Sequence, residues 1–140
     1  MTAEGRDQGN LRFVNPSELA PPPGYTQVVE ASGGRTVYLS GQVALDASSE
    51  VMGIGDLRAQ TRQVFENLEV ALGAVGAGFK DVVKLTYYVA DPSWEGGALR
   101  SVRDEYVDTE RPPASTAVGV RRHFREELLV EVEAVAVLPA

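Results

Sequence analysis

The stretch QTRQVFENLEVALGAVGAGFKDVVKLTYYVAD, residues 60–91, changes its hydrophobic period partway along. With Leu57 just ahead of it, Thr61, Val64, Phe65, Leu68, Leu72 and Val75 recur at three- and four-residue intervals, which places them on one stripe of a helix. Asp56 stands where an N-cap is needed, and Gly76 and Gly78 close the run, so the spacing predicts a helix of about five turns. Beyond Gly78 the pattern becomes DVVKLTYYVA, enriched in β-branched and aromatic side chains, and Asp91 with Pro92 ends it. A helix followed at once by a strand makes the chain α/β-mixed, and the flanking sequence decides in which way.

Upstream, MTAEGRDQGN is polar, and Pro21, Pro22, Pro23 and Gly24 forbid a helix. Residues 1–20 are therefore expected to be a flexible arm, with a single domain over 21–140. YTQVVEA and TVYLSGQVAL read as two strands around Ser32-Gly33-Gly34-Arg35, an antiparallel hairpin with a glycine turn. Downstream, a second helix is expected from Ala98 to Asp108, burying Leu99, Val102, Tyr106 and Val107, and Pro112 and Pro113 stop it. STAVGV and LLVEVEAVAV follow as strands joined by the charged RRHFREE. The order ββ, α, β, α, ββ gives an α+β fold with two helices on one face of a mixed sheet. In the last strand Leu129, Glu131, Glu133, Val135 and Val137 share one face, while Val130, Val132, Ala134 and Ala136 share the other. Periodicity leaves two readings for the glutamates: both face solvent, or at least one serves a site.

A chain of 140 residues is one ordinary domain, and its 44% hydrophobic content is that of a globular protein. With no cysteine and one histidine, His123, no metal site is expected. No G-x-S-x-G elbow accompanies His123, which reads as a solvated residue of its charged connector. Glu131 and Glu133 stand about 6.6 Å apart along one strand and so do not flank a bond as paired glycosidase acids do. A carboxylate on a mostly apolar face suits a different task, positioning or activating a water. The net charge of −7 opposes nucleic-acid binding, with only Arg121, Arg122 and Arg125 clustered against it. No signal-peptide core and no membrane-length apolar run is present, so a cytoplasmic protein without membrane contact is expected.

Taken together, YLSGQVALD (38–46), residues 60–91, RPPASTAVGV (111–120) and LLVEVEAVAV (128–137) resemble the RidA/YjgF/YER057c/UK114 family from about Tyr25 to Val137. The resemblance implies a chorismate-mutase-like protomer in a homotrimeric barrel, with clefts between subunits. It implies hydrolysis of reactive 2-aminoacrylate-type enamines and their imine tautomers to 2-keto acids and ammonia, without cofactor or metal. Residue by residue, it places a cleft tyrosine at Tyr25, a serine at Ser40 beside Gly41, and a water-positioning glutamate at Glu131. Ala114, Ser115 and Thr116 fall in the substrate-binding segment, with Arg111 a further candidate for an anionic ligand. Members acting on small imino acids carry an arginine in a P-A-R-S motif that grips the substrate carboxylate. Here the run is Pro113-Ala114-Ser115-Thr116, with Ser115 in the arginine's place. An imine other than a simple 2-imino acid is thus the expected substrate; a non-catalytic trimer that binds a small metabolite is the alternative, and RNA cleavage is a distant third.

Overall fold

The computed structural model describes residues 3–94 and 97–140. The helix predicted from periodicity is α1, Leu57–Gly73, capped by Asp56, whose carboxylate accepts from the Ala59 amide at 3.0 Å. Val64, Phe65, Leu68 and Leu72 on its inner stripe are fully buried. A short turn over Phe79–Asp81 leads into β5, Val82–Val89, and the last strand is β7, Val130–Leu138. With β4, Arg35–Gln42, and β6, Ala114–Gly119, these form a four-stranded sheet in the order β4-β7-β5-β6. Only the β5–β6 pair is parallel, so the sheet is mixed.

Strand β7 lies inside the sheet, and its two faces behave as period-two reasoning requires. Val130, Val132, Ala134 and Ala136 are buried in the core shared with α1, whereas Glu131, Glu133 and Val135 are half-buried on the opposite face. Gln60, fully buried within the apolar stripe of α1, ties β7 to the helix. Its Nε2 donates to the Glu127 carbonyl at 2.8 Å and the Gly53 carbonyl at 3.2 Å, and its Oε1 accepts from the Leu129 amide at 2.8 Å. Every polar atom of that side chain has a partner, which makes the burial tolerable and pins the chain two residues before Glu131.

Three sequence expectations are corrected. Residues 3–16 are not a flexible arm: β1, Ala3–Gln8, and β2, Leu11–Pro16, pair in a hairpin. Leu11 and Phe13 are buried against Val137 as a second small core, which period-two alternation at 11 and 13 permits despite the polar residues before them. The expected pairing of YTQVVEA with TVYLSGQVAL is also absent. β3, Val28–Ala31, pairs instead with β2, and β4 pairs with β7. The glycine turn is real, with Gly33 and Gly34 at φ +64° and +85°, but it passes the chain from one sheet to the other. Finally, α2 spans Gly97–Arg103, shorter than expected, because it ends in tight turns in which the Glu105 amide donates to Val102 and the Tyr106 amide to Arg103. Both helices pack on one sheet face, as the sequence predicts. Among the described residues no helix is long and apolar enough to cross a membrane.

Phe13 separates the arm from the strand. Phe13→Ala is expected to destabilise the fold by about 3 kcal/mol, read as a lower urea midpoint, because a 4% exposed ring leaves a cavity. An unchanged midpoint would mean that this segment contributes no packing.

Candidate active site

The outer face of β7 carries Glu131, and β4 makes room for it. Leu39 pairs with Ala134 and Gln42 with Val132, so β4 holds one residue more than β7 over this span, a bulge at Ser40-Gly41. The Glu131 carboxylate occupies the space a side chain at Gly41 would need: a Cβ there would lie 2.0 Å from Oε2 and 2.7 Å from Cδ. A side chain at this position would have to displace the carboxylate.

His123 stands on the other side of Glu131. Contrary to the expected solvated loop residue, it is buried, its side chain only 5% exposed. Its Nε2 lies 3.1 Å from the Tyr88 carbonyl, an acceptor, so Nε2 carries a hydrogen. Nδ1 then faces Glu131 Oε1 at 3.4 Å, and the contact is attractive when a proton lies between those two atoms. Arg122, whose Nε donates to the His123 carbonyl at 3.2 Å, completes the wall. These residues, with Tyr88, Val120 and Glu133, enclose an open cleft of about 310 Å³. Glu133 is engaged separately: the Tyr88 hydroxyl donates to it, and that bond raises the tyrosine's pKa above its ordinary value.

A second cavity, of about 170 Å³, lies on the helix side of the sheet beneath the β5–β6 edge. Tyr25, Ser115 and Thr116 line it together with Tyr87, Trp94 and Arg103. Thr26 brings Tyr25 there, its amide donating to the Pro113 carbonyl at 3.2 Å and its hydroxyl to the Pro112 carbonyl at 2.5 Å. Burial pushes the Tyr87 hydroxyl far above the usual tyrosine range, so it is a donor at any physiological pH.

The sequence profile of the family described as Endoribonuclease L-PSP matches residues 16–138. A RutC family protein of Synechocystis is 33% identical over 92% of this chain and 98% of its own length. A 2-iminobutanoate/2-iminopropanoate deaminase of Dermatophagoides farinae is 34% identical, covering 86% of this chain and 91% of that protein. A solved Rid-family protein of Yersinia pestis superposes with a TM-score of 0.83 at 38% identity, over 92% of this chain and 99% of that one. The chain belongs to the Rid/YjgF family. Its protomer has the chorismate-mutase-like fold, as expected from the sequence.

Within this Rid protein the residues singled out in the sequence divide into two groups. Glu131 and Gly41 meet at the outer cleft, with exposed Ser40 next in the bulge. Tyr25, Ser115 and Thr116 meet at the inner cavity, and Ala114 pairs with Lys84 at the start of β6. Arg111 joins neither group's lining; its guanidinium lies 3.2 Å from Asp108. The sequence reading missed His123, Gln60 and Arg103. Arg103 left a signal, a charge on the apolar stripe Leu99, Val102, Tyr106 of the second helix expected from sequence, whereas nothing periodic marks His123 in its charged connector.

Gly41→Ala is expected to push the Glu131 carboxylate away from His123 and to destabilise the fold by roughly 1–3 kcal/mol. The ring signals of the single histidine report the displacement by NMR, and unshifted signals would show that the carboxylate does not need that space. The Tyr88–Glu133 bond needs the hydroxyl proton, so it is present below the ordinary tyrosine pKa and lost as pH rises through the raised one. Glu133→Gln should return Tyr88 ionisation toward the ordinary range in an ultraviolet absorbance titration, and an unmoved Tyr88 transition would contradict the assignment.

Proposed function

We propose that this Rid protein is an enamine/imine deaminase that acts on an imine other than the simple 2-imino acids. The observation that carries the reading is the Glu131 carboxylate, seated against the Gly41 backbone with His123 behind it and open to a cleft. A water held by Glu131 attacks the electrophilic imine carbon. Glu131 takes a proton from that water and returns it to the nitrogen, and collapse of the carbinolamine releases ammonia and a carbonyl compound. The atoms balance as imine plus water to carbonyl plus ammonia. His123 positions the carboxylate. Ser115, standing where the family resemblance puts an arginine, supports a substrate not gripped from that strand.

The division of Tyr25 and Ser115 from Glu131 supports a site completed between copies, as in a homotrimer. So does the outer sheet face, where Tyr38 is 79% exposed beside Val135 and Val118 is 40% exposed. In this reading Tyr25 and Thr116 of one copy, with Ser115, bind the substrate that Glu131 and Ser40 of the next copy act upon. Metabolism of small molecules in the cytoplasm fits this assignment, and the net charge of −7 disfavours RNA as substrate.

Ammonia release from lyase-generated 2-aminoacrylate, and from bulkier imines, tests the proposal. Activity should be greater on the latter, and Glu131→Gln should lower it by about 10²–10⁴-fold. Mixing subunits of Glu131→Gln with those of Tyr25→Ala should recover part of the activity if the site spans two copies. No turnover of any imine, with ligand-dependent thermal stabilisation instead, would identify a binding protein without catalysis.

A further inference from the structure

The cavity beneath the β5–β6 edge is lined by three residues that each carry a buried donor without a hydrogen-bond partner among the described residues: Tyr87 Oη, Trp94 Nε1 and Arg103 Nη2. Indole and guanidinium nitrogens donate and cannot accept. Arg103 is 8% exposed, and a buried guanidinium is costly unless charge and hydrogen bonds compensate it. Asp104 compensates part: Arg103 Nε donates to its Oδ1 at 3.0 Å. Nη2 lies 2.9 Å from that same oxygen without hydrogen-bond geometry, and is left as an unused donor. Gly24 leaves it room, since a Cβ there would fall 2.3 Å from Nη2.

Groups of this kind are complemented by an acceptor-rich ligand. We propose that this cavity is a carboxylate-binding subsite in which Arg103, together with the Tyr87 hydroxyl and the Trp94 indole N–H, supplies from α2 the anion grip that Ser115 cannot supply from β6. Its volume of about 170 Å³ admits a small organic acid. Pro23, Leu99 and Ala117 add apolar wall, which suits an aliphatic acid. That the acid is the substrate's own rests on the deaminase reading. In that case the substrate is an imine bearing a carboxylate held from the helix, with the imine farther from its acid group than in a 2-imino acid. Binding of the anion does not depend on turnover.

Trp94 is the chain's single tryptophan, so one indole N–H resonance reports the site in ¹⁵N-labelled full-length protein. Titration with propanoate should shift that resonance saturably, and the isosteric neutral propanamide should not shift it. Arg103→Gln should weaken propanoate binding about ten- to a hundredfold, and Tyr87→Phe, which removes one hydroxyl from a packed ring, several-fold. Glu131→Gln, which should abolish turnover, should bind propanoate as the unmodified chain does, so failure of the catalytic reading and failure of this one are separable. If Arg103→Gln does not fold, Tyr87→Phe carries the test alone. An unshifted resonance, an equal response to propanamide, or unchanged affinity in the folded variants would overturn the proposal.

Discussion

The packing of β7 against α1 is the constraint on which the rest of this molecule depends. The strand runs between β4 and β5, and its inner face, Val130, Val132, Ala134 and Ala136, meets a helix stripe built from Val64, Phe65, Leu68 and Leu72. Removing both surfaces from water is the main favourable term available to a domain of this size. A strand that buries one face by period two must present the alternate residues on the other. The position of Glu131 on the outer face is thus a consequence of core packing, and Gln60 adds a polar lock that stops β7 from slipping by one residue and exchanging the faces.

Around that lock the molecule tolerates local departures from regular structure where chemistry is proposed. The extra residue at Ser40-Gly41 interrupts the β4 ladder next to the Glu131 carboxylate, and the glycine gives up any side chain there. On the opposite face Arg103, Tyr87 and Trp94 hold unpartnered donors within a largely apolar layer. Unsatisfied groups of that kind oppose folding by about 1–3 kcal/mol each, and stability alone gives no reason to gather three of them in one cavity.

Membership of the Rid family and the relatives' deaminase names agree with a chemistry that asks little of the protein beyond a held water and an oriented imine. The two cavities differ in character. The outer cleft is acidic, with Glu131 and Glu133 on adjacent outward positions of β7, whereas the inner cavity presents hydrogen-bond donors and a cation. In the proposed function a substrate with an electrophilic C=N group at one end and an acid at the other would meet complementary groups in both.

From the sequence alone, the change from a 3.6- to a two-residue period at Gly78 established helix and strand, and alternation in LLVEVEAVAV assigned the two faces of β7 correctly. Local pattern suffices there because each element buries one continuous stripe. The family resemblance singled out Glu131, Gly41, Tyr25 and Ser115 as expected site residues. Pairing partners were beyond local pattern: β3 and β4 flank a proper glycine turn, yet each finds a better-matched edge elsewhere, and Leu11 and Phe13 become a strand only because Val137 offers them an apolar surface. His123 and Arg103 belong to the same class. Each is a polar residue whose burial depends on groups remote in sequence, Glu131 and the Tyr88 carbonyl for one, Gly24 and the β5–β6 edge for the other. Tertiary structure alone decided them, because burial of a polar side chain is settled by the partners that surround it and not by its neighbours along the chain.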